Sequence, residues 1–357
     1  MDASILSLIL ACAFAAVLGF TAHRASVCTV RAAAELLSSQ TVFMLASIAK
    51  SALWVLLLCL PFLIWAPPYM LYGWPLTATA MAAGFLFGIG AAVNGGCAYS
   101  TMTRMVDGEG RMIVSVAGFA LGIVGYQALV GRGIVDPPRS TAIRPALLAD
   151  YAWPLLAALS LWAAFEIYRL WIARPKDRSL RDLIGAPNYR LSAAALVIGL
   201  SATAIFLLIG SPGYTVTVQN LVESALGDAA TPPAAQWILL LAVLAGMVFS
   251  TWQRGSFRFD WQPGWDWLRN LAGGAMMGLG TALLPGGNDA LILYGIPTFS
   301  PHAIPAYAAL VFGAIAGLIL LSRFGIEIRV SCRNDFYIAQ NQPPGSILNG
   351  HAPHESR

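Results

Sequence analysis

The sequence carries little charge. Asp, Glu, Lys and Arg together make up 11% of its 357 residues, hydrophobic residues make up 58%, and the mean hydropathy is +0.69. Soluble globular domains carry about 25% charged residues, so this composition excludes an ordinary soluble domain. Because a backbone in lipid must satisfy its hydrogen bonds internally, helices are the expected elements. The sequence therefore predicts an all-α polytopic membrane protein.

The sequence also lacks the signatures of several enzyme and cofactor sites. None of its five cysteines pairs at the CxxC spacing of a zinc site, and it contains no GxxxxGK(S/T) loop for a nucleotide. No set of His or Cys residues suited to a metal occurs within the apolar runs. We therefore predict no cofactor, no metal and no enzymatic activity.

The apolar runs are long enough to predict about nine transmembrane helices across roughly 30 Å of hydrocarbon. The run at 271–285 is short, so we expect a half-helix or a tilted span there. Short re-entrant helices are expected in addition, where a run breaks before it can cross. The nine runs lie near 3–22, 42–66, 74–93, 112–131, 153–172, 191–210, 235–252, 271–285 and 301–322.

Lys and Arg are distributed unevenly between the predicted connections. The link at 169–190 holds six of them, and the segments on its side of the membrane hold 17 in all, against three on the opposite side. By the positive-inside rule, we predict the N-terminus outside and the C-terminus in the cytoplasm of a bacterial inner membrane. This orientation in the lipid bilayer explains the net charge of +4 without a nucleic-acid partner.

Two glycine-rich segments, at 84–100 and 274–290, resemble each other. Five predicted crossings separate them, so they run in opposite directions and the chain is an inverted internal repeat. Paired, interrupted segments of this kind indicate a transport site near the membrane midplane. Aligned without a gap, Gly84 matches Gly274, Gly88 matches Gly278, Gly90 matches Gly280, Gly96 matches Gly286, and Cys97 matches Gly287.

The repeat defines the predicted domain organisation. A membrane domain spans residues 1–330, with halves at about 1–168 and 191–330 joined by a cytoplasmic linker at 169–190. Residues 331–357 form a polar tail that is expected to be disordered.

The five cysteines lie in different surroundings. Cys12 and Cys59 lie inside apolar runs and are expected to be small buried hydrophobic residues. Cys332 lies in the polar tail, where an exposed thiol is expected. Cys28 lies in a short helix-like stretch at 25–37 that is too short to cross, so this stretch is either re-entrant or an amphipathic helix at the interface.

Cys97 directly follows Asn94-Gly95-Gly96. Glycines at such a break permit unusual backbone angles, and the helix that restarts there presents free amides and a partial positive charge to an anion. Packing of helices through small residues explains part of the glycine spacing, but it does not explain a cysteine at the break.

These residues carry a family resemblance that covers both halves. The chain resembles the YeeE/YedE family of sulfur-compound transporters, whose best-understood members take up thiosulfate. The matching pieces are Arg24-Ala25-Ser26-Val27-Cys28 with Arg31, the GxGxxxNGGC run at 88–97, FRFDWQPGWDWLRNLAGGAMMGLG at 257–280, and Phe299-Ser300-Pro301.

The resemblance implies three cysteines along a path, which pass thiosulfate by weak hydrogen bonds. Cys28 and Cys97 match the first two, but the third is replaced by Gly287. We place Arg24 and Arg31 at the cytoplasmic mouth. The residues predicted to line the substrate path are Cys28, Cys97, Gly95, Gly96, Gly286, Gly287, Asn288, Arg24 and Arg31.

The predicted function is transport of thiosulfate or a related small sulfur-containing anion across the inner membrane. Two alternatives are a permease for another sulfur or selenium species, since the third cysteine is missing, and a membrane-embedded thiol or persulfide-handling subunit. The resemblance makes a cytoplasmic sulfurtransferase-like partner plausible. Asp289 is expected to cap a helix, with protonation or proton coupling as alternatives, while Asp107 and Glu109 are expected to be solvated.

Overall fold

The computed structural model describes residues 5–65, 71–143, 146–174, 179–210, 213–227, 233–261, 264–326, 328, 330–333 and 335–339. Almost all of this part of the chain is helical. The helices are α1 (Ile5–Ala25), α2 (Thr29–Ser38), α3 (Phe43–Trp65), α4 (Ala78–Asn94), α5 (Ala98–Val106), α6 (Arg111–Gly131), α7 (Ala146–Ile172), α8 (Leu180–Ile184), α9 (Leu191–Ile209), α10 (Tyr214–Ala225), α11 (Ala234–Arg254), α12 (Trp265–Leu283), α13 (Asn288–Ala290), a π-helical turn (Leu291–Gly295) and α14 (Ala303–Ser322).

Two short antiparallel strand pairs complete the described part of the fold. Strand β1 (Leu71–Gly73) pairs with β2 (Thr141–Ile143), and β3 (Val330–Arg333) pairs with β4 (Phe336–Ala339).

In the described part of the chain, eight helical segments are long and apolar enough to cross a membrane. They confirm the prediction of an all-α polytopic membrane protein. Two of the eight, Ile5–Ser38 and Ala78–Val106, each contain a long helix followed by a short one, with a break in the backbone between them. Helix α12 is a further long helix of 19 residues. Of the two alternatives predicted for 271–285, the half-helix is therefore wrong, because the helix begins earlier, at Trp265; the tilted span stays a prediction.

The helices pack in two matching sets. In chain order, α1 to α6 correspond to α9, α10, α11, α12, the α13 and π-helical segment, and α14. Helix α4 packs on α14 as α12 packs on α6, and α1 packs on α11 as α9 packs on α3. The short helices follow the same rule, because α2 packs on α14 as α10 packs on α6. Such reciprocal contacts are expected of two repeats related by a two-fold axis.

The central pair of repeated helices, α4 and α12, runs antiparallel. A Cβ atom placed on Gly90 would lie 2.8 Å from the carbonyl oxygen of Gly273, whereas one on Gly280 would lie 2.9 Å from that of Ala83. Residues later in α4 therefore contact residues earlier in α12. The two glycine-rich segments thus run in opposite directions, as the inverted repeat predicts.

Other glycines of these helices bring backbones into direct contact. A Cβ atom on Gly278 would overlap the carbonyl oxygen of Phe119, and one on Gly88 would overlap that of Leu310. Since no side chain fits between these helices, van der Waals contact and close approach hold them together, as is typical of membrane helix pairs.

Asp107 and Glu109, in the turn between α5 and α6, were expected to be solvated, but both pair with other side chains. Glu109 is bonded to Arg104 at 2.6 Å and to Arg111 at 2.9 Å. Asp107 accepts hydrogen bonds from Ser256 at 2.6 Å and Thr251 at 3.0 Å. The expectation was wrong because both carboxylates have partners in the folded chain. The partners of Glu109 are close to it in sequence, whereas those of Asp107 are distant in sequence.

Glu109 is expected to make stability dependent on pH. Burial raises the pKa of this carboxyl, but Arg104 and Arg111 together lower it below its ordinary value of 4.5. The ion pairs of Glu109 with Arg104 and Arg111 therefore stabilise the fold above about pH 4.5. This contribution is lost as the pH falls through the lowered pKa of Glu109. We expect Glu109→Gln to cost about 2 kcal/mol at neutral pH, and the gap to the wild type to close in acid.

Thermal unfolding of the purified protein in detergent, at neutral and acid pH, measures this gap. Asp266→Asn is the matched control, because Asp266 also pairs with Arg111 but is 45% exposed, and exposed pairs contribute little. A Glu109→Gln deficit that persists unchanged in acid would contradict the assignment.

The predicted disordered tail is partly ordered. Strands β3 and β4 form a hairpin over Val330–Ala339, while residues 340–357 lie outside the described part of the chain. The ring of Tyr337 packs on the guanidinium of Arg31 at 4.9 Å, and Asp335 accepts from the Ser192 N–H at 3.2 Å. Contacts with α2 and α9 thus order a segment whose polar composition indicates disorder.

Cys332, expected to be exposed, is buried between this hairpin and α2. Burial, with the neighbouring Glu35 carboxylate, raises the pKa of its thiol to about 12. Cys332 is therefore an unreactive structural thiol.

Candidate functional site

Four short helical segments begin at breaks inside the bundle. Each follows a long helix, and the residues at their N-caps are Cys28 for α2, Cys97 for α5, Gly213 for α10 and Gly287 for α13. None of these four N-caps makes a side-chain capping bond of its own. The first backbone amides of the segments are therefore available to other partners.

The first half-site is built from the two cysteines. The backbone N–H of Cys97 donates to the Sγ atom of Cys28 at 3.5 Å, and both residues are 1% exposed. Gly95 adopts φ 79° and ends α4, which turns the chain so that Cys97 meets Cys28. Asn94 fixes the turn by donating to the Gly96 carbonyl at 3.0 Å. The stretch at 25–37 therefore contains a backbone break at Ser26–Cys28, followed by the start of α2, which is buried in the bundle.

The second half-site has glycines, Gly213 and Gly287, at the N-caps that correspond to Cys28 and Cys97. The backbone N–H of Gly287 donates to Thr215 Oγ1 at 3.1 Å. Thr215 Oγ1 in turn donates to Asp289 Oδ1 at 2.6 Å, and the Tyr214 N–H donates to Asp289 Oδ2 at 2.9 Å. A hydroxyl and a carboxylate from neighbouring positions therefore surround Gly287, whereas Cys97 of the first half-site lies against a thiol. Gly286, at φ 91°, makes the turn that allows this arrangement.

Asp289 caps a helix other than the one to which it belongs. Its carboxylate caps α10, where it receives the Tyr214 amide. The interaction is favourable because a helix N-terminus carries a partial positive charge.

A small cavity of about 60 Å³ lies between the two half-sites. It lies where the breaks of both repeats meet. The rings of Tyr99 and Tyr214 pack edge to face, with centroids 5.4 Å apart, and connect α5 of one repeat to α10 of the other. We refer to this space as the central cavity; its polar and thiol-bearing lining includes Cys28, Cys97, Tyr99, Asn288 and Asp289.

A larger cavity of about 1320 Å³ lies on the other side of the α13 and π-helical segment. Gly286, Ala290 and Tyr294 face it, whereas Asn288 and Asp289 face the central cavity. One irregular segment is therefore the partition between the two spaces. A π-helical turn, as at Leu291–Gly295, is common at functional sites.

The two predicted arginines lie in different environments. Arg31 follows Cys28 by one helical turn, is 7% exposed, and donates to the Ser26 carbonyl at 3.2 Å. Like Arg31, Arg24 is not among the residues that line either cavity. It donates to Ser250 Oγ at 2.8 Å and to the Ala186 carbonyl at 2.6 Å, so it ties α1 to α11 and to the linker after α8.

Two important residues, Thr215 and Tyr99, were missed by sequence reasoning. A signal for Thr215 was present, because Gly210 and Gly213 flank a break that follows an apolar run, as in the first half. Tyr99 gave no signal, because its role depends on the contact with Tyr214 from the other repeat. No group of three His, Cys, Asp or Glu side chains in the described ranges could hold a metal ion.

Comparison with known proteins identifies the family. A search of curated proteins finds no significant match. Residues 11–316, most of the chain and both repeats, match the family model described as sulphur transport. This match confirms the resemblance derived from the cysteine and glycine motifs, and the chain therefore belongs to the sulphur transport, or YeeE/YedE, family.

Proposed function

We propose that this sulfur-compound transporter carries thiosulfate or a related small sulfur-containing anion through the central cavity, across a bacterial inner membrane. The observation that supports the proposal most is the contact between Cys97 and Cys28 at the N-termini of α5 and α2. The path passes Gly286 from the larger cavity, then the second half-site with Gly287 and Asn288, then the thiol pair beside Gly95 and Gly96, and leaves past Arg31.

The lining suits an anion that must be held weakly. A conduction path needs binding sites from which the ion can leave again. Thiols are weak donors and polarisable acceptors, and the amides at the start of α2 and α5 attract negative charge. Both thiols can act in their neutral form, so no activated thiolate is needed.

The contacts between helix ends support the order of crossings in the proposed topology, and the basic-residue distribution gives its orientation, with the N-terminus outside and the C-terminus in the cytoplasm. The end of α1 contacts the end of α11 through Arg24 and Ser250. Near the opposite ends, the His302 N–H donates to the Trp74 carbonyl at 3.3 Å. Each contact joins ends that the basic-residue distribution assigns to the same side.

We further propose that the transport unit comprises residues 1–330, with halves at 1–168 and 191–330 and the cytoplasmic linker between them.

Uptake of a dianion works against the membrane potential. A dianion that enters against about 100 mV of negative potential inside costs about 5 kcal/mol. Consumption of the substrate by a cytoplasmic sulfurtransferase-like protein would supply part of this free energy.

A different sulfur or selenium anion is the second candidate substrate. It is favoured by one observation: a Cβ atom on Gly287 would lie 2.8 Å from Thr215 Oγ1. The space for the family's third thiol is thus filled by a hydroxyl. A thiol or persulfide-handling subunit would instead require a reactive Cys97, which alkylation of the intact protein would detect.

Growth on thiosulfate as sole sulfur source, in a host without its own sulfate and thiosulfate uptake, tests the proposal. We expect growth with the wild type and at least a tenfold lower uptake rate with Cys97→Ala, since one of two thiols in the cavity is lost. Cys12→Ala is the matched control, because Cys12 lies in α1 and is not among the residues lining the central cavity. Full activity of Cys97→Ala would refute the proposed path.

A further inference from the structure

The second half-site binds a negative charge that belongs to the protein itself. In the first half-site, the N-cap of α2 is Cys28, whose side chain makes no capping hydrogen bond. In the second, the Asp289 carboxylate occupies the N-terminus of α10 through the Tyr214 amide and the Thr215 hydroxyl. The place where a helix N-terminus would hold a transported anion is thus already taken.

Within the described ranges, no cation pairs with this carboxylate. None of the ion pairs among the described residues includes Asp289. The groups that face it are phenols and thiols, which are neutral near pH 7 in their ordinary forms. They are Tyr99 on α5, Tyr214 on α10, Tyr294 on the π-helical turn, and Cys28 and Cys97 across the central cavity.

An anion in the central cavity would therefore meet an uncompensated like charge. The cavity measures about 60 Å³, and Asp289 lines it together with Cys28 and Cys97. Two like charges within one small cavity repel strongly where water does not screen them. Protonation removes the repulsion and also changes the role of Asp289, because a protonated carboxyl can donate a hydrogen bond to the anion.

We propose that Asp289 is the gate of the pathway, and that an anion passes the second half-site only while this carboxyl group is protonated. The inference rests on the proposed function and adds to it a specificity-determining residue. Thr215 is a positioning residue, because its hydroxyl holds the carboxylate on α10. The gate lies in the α13 segment, which separates the larger cavity from the thiol pair.

Exchange of ³⁵S-thiosulfate across proteoliposomes, with equal pH on both sides, tests the gate without a proton gradient. Thiosulfate remains a dianion over the range from about pH 5.5 to 8, so a change in rate reports on the protein. We expect the wild-type rate to rise about tenfold from pH 8 to pH 5.5. In Asp289→Asn we expect a rate that is independent of pH and equal to the wild-type rate in acid.

Two further variants keep the test decisive if Asp289→Asn does not fold. Thr215→Val removes the hydroxyl that stabilises the carboxylate, so the midpoint of the wild-type pH profile should move to higher pH. Thr215→Ser keeps the hydroxyl and should leave the midpoint unchanged. An unshifted midpoint in Thr215→Val, or a normal pH profile in Asp289→Asn, would overturn the gate and leave the transport function standing.

The failure of the proposed function looks different. If the wild type exchanges neither thiosulfate, sulfite nor selenite at any pH, the transport of these anions is refuted and the gate with it. If Asp289 were only a helix cap, Asp289→Asn would lower the unfolding temperature and keep the pH dependence of exchange.

Discussion

Replacement of Gly278 by leucine is expected to remove most of the folded protein from the membrane. A Cβ atom at this position would overlap the Phe119 carbonyl oxygen on α6. A backbone atom cannot rotate away as a side chain can, so the two helices must separate. We expect the free energy of unfolding to fall by about 3 kcal/mol or more. The amount of protein in the membrane and its thermal unfolding in detergent measure the effect.

Gly125→Leu is the matched control for this substitution. Gly125 lies on α6, within the same helix pair, but nothing lies within 4 Å of a Cβ atom built there. The change in hydrophobicity and helix propensity is the same in both variants, so only the contact differs. Equal expression and stability of the two variants would show that close packing of α6 and α12 does not hold the repeats together.

Gly278 illustrates what the sequence could predict. Its match with Gly88 indicated a repeat, and both glycines lie at equivalent contacts of the two halves. The length of the apolar runs predicted the long helices for a similar reason, because the bilayer imposes one length on all of them. Such predictions depend on local composition and on symmetry, and neither needs knowledge of a distant contact.

The start of α12 shows why the sequence misled in one place. Asp266 and Arg269 interrupt the apolar pattern, which indicated a short span. The structure pairs them with each other at 2.9 Å and pairs Asp266 with Arg111 at 3.4 Å. Charged residues can begin a long membrane helix when partners lie nearby, and hydropathy does not detect the partners.

The candidate site could be predicted only in part. Cys28 and Cys97 follow breaks that the sequence shows, and the structure places them in contact. Arg24 belongs to the same family motif as Cys28 and was predicted to line the path. Its guanidinium is instead hydrogen-bonded to Ser250 on α11. A motif fixes which residues are close in sequence, but the direction of each side chain depends on helices that pack from the other repeat.

The missing third thiol can be restored only if Thr215 is changed as well. In Gly287→Cys alone, the new Cβ atom would lie 2.7 Å from Thr215 Cγ2 and 2.9 Å from its Cβ. The backbone at Gly287 accepts a side chain, since its φ is −74°. The obstacle is therefore the threonine, and we expect the single variant to be destabilised by about 1–3 kcal/mol and to transport thiosulfate more slowly than the wild type.

In the double variant Gly287→Cys with Thr215→Gly, all three obstructing atoms are removed. We expect thiosulfate uptake several-fold above that of the single variant, because a third weak donor then joins Cys28 and Cys97. Glycine within α10 costs about 1 kcal/mol, so Thr215→Gly alone is the control for this loss. Uptake by the double variant that does not exceed that of Thr215→Gly would show that position 287 does not belong to the path. Uptake that exceeds it would show that a thiol at position 287 contributes to the path once the Thr215 side chain no longer occupies its space.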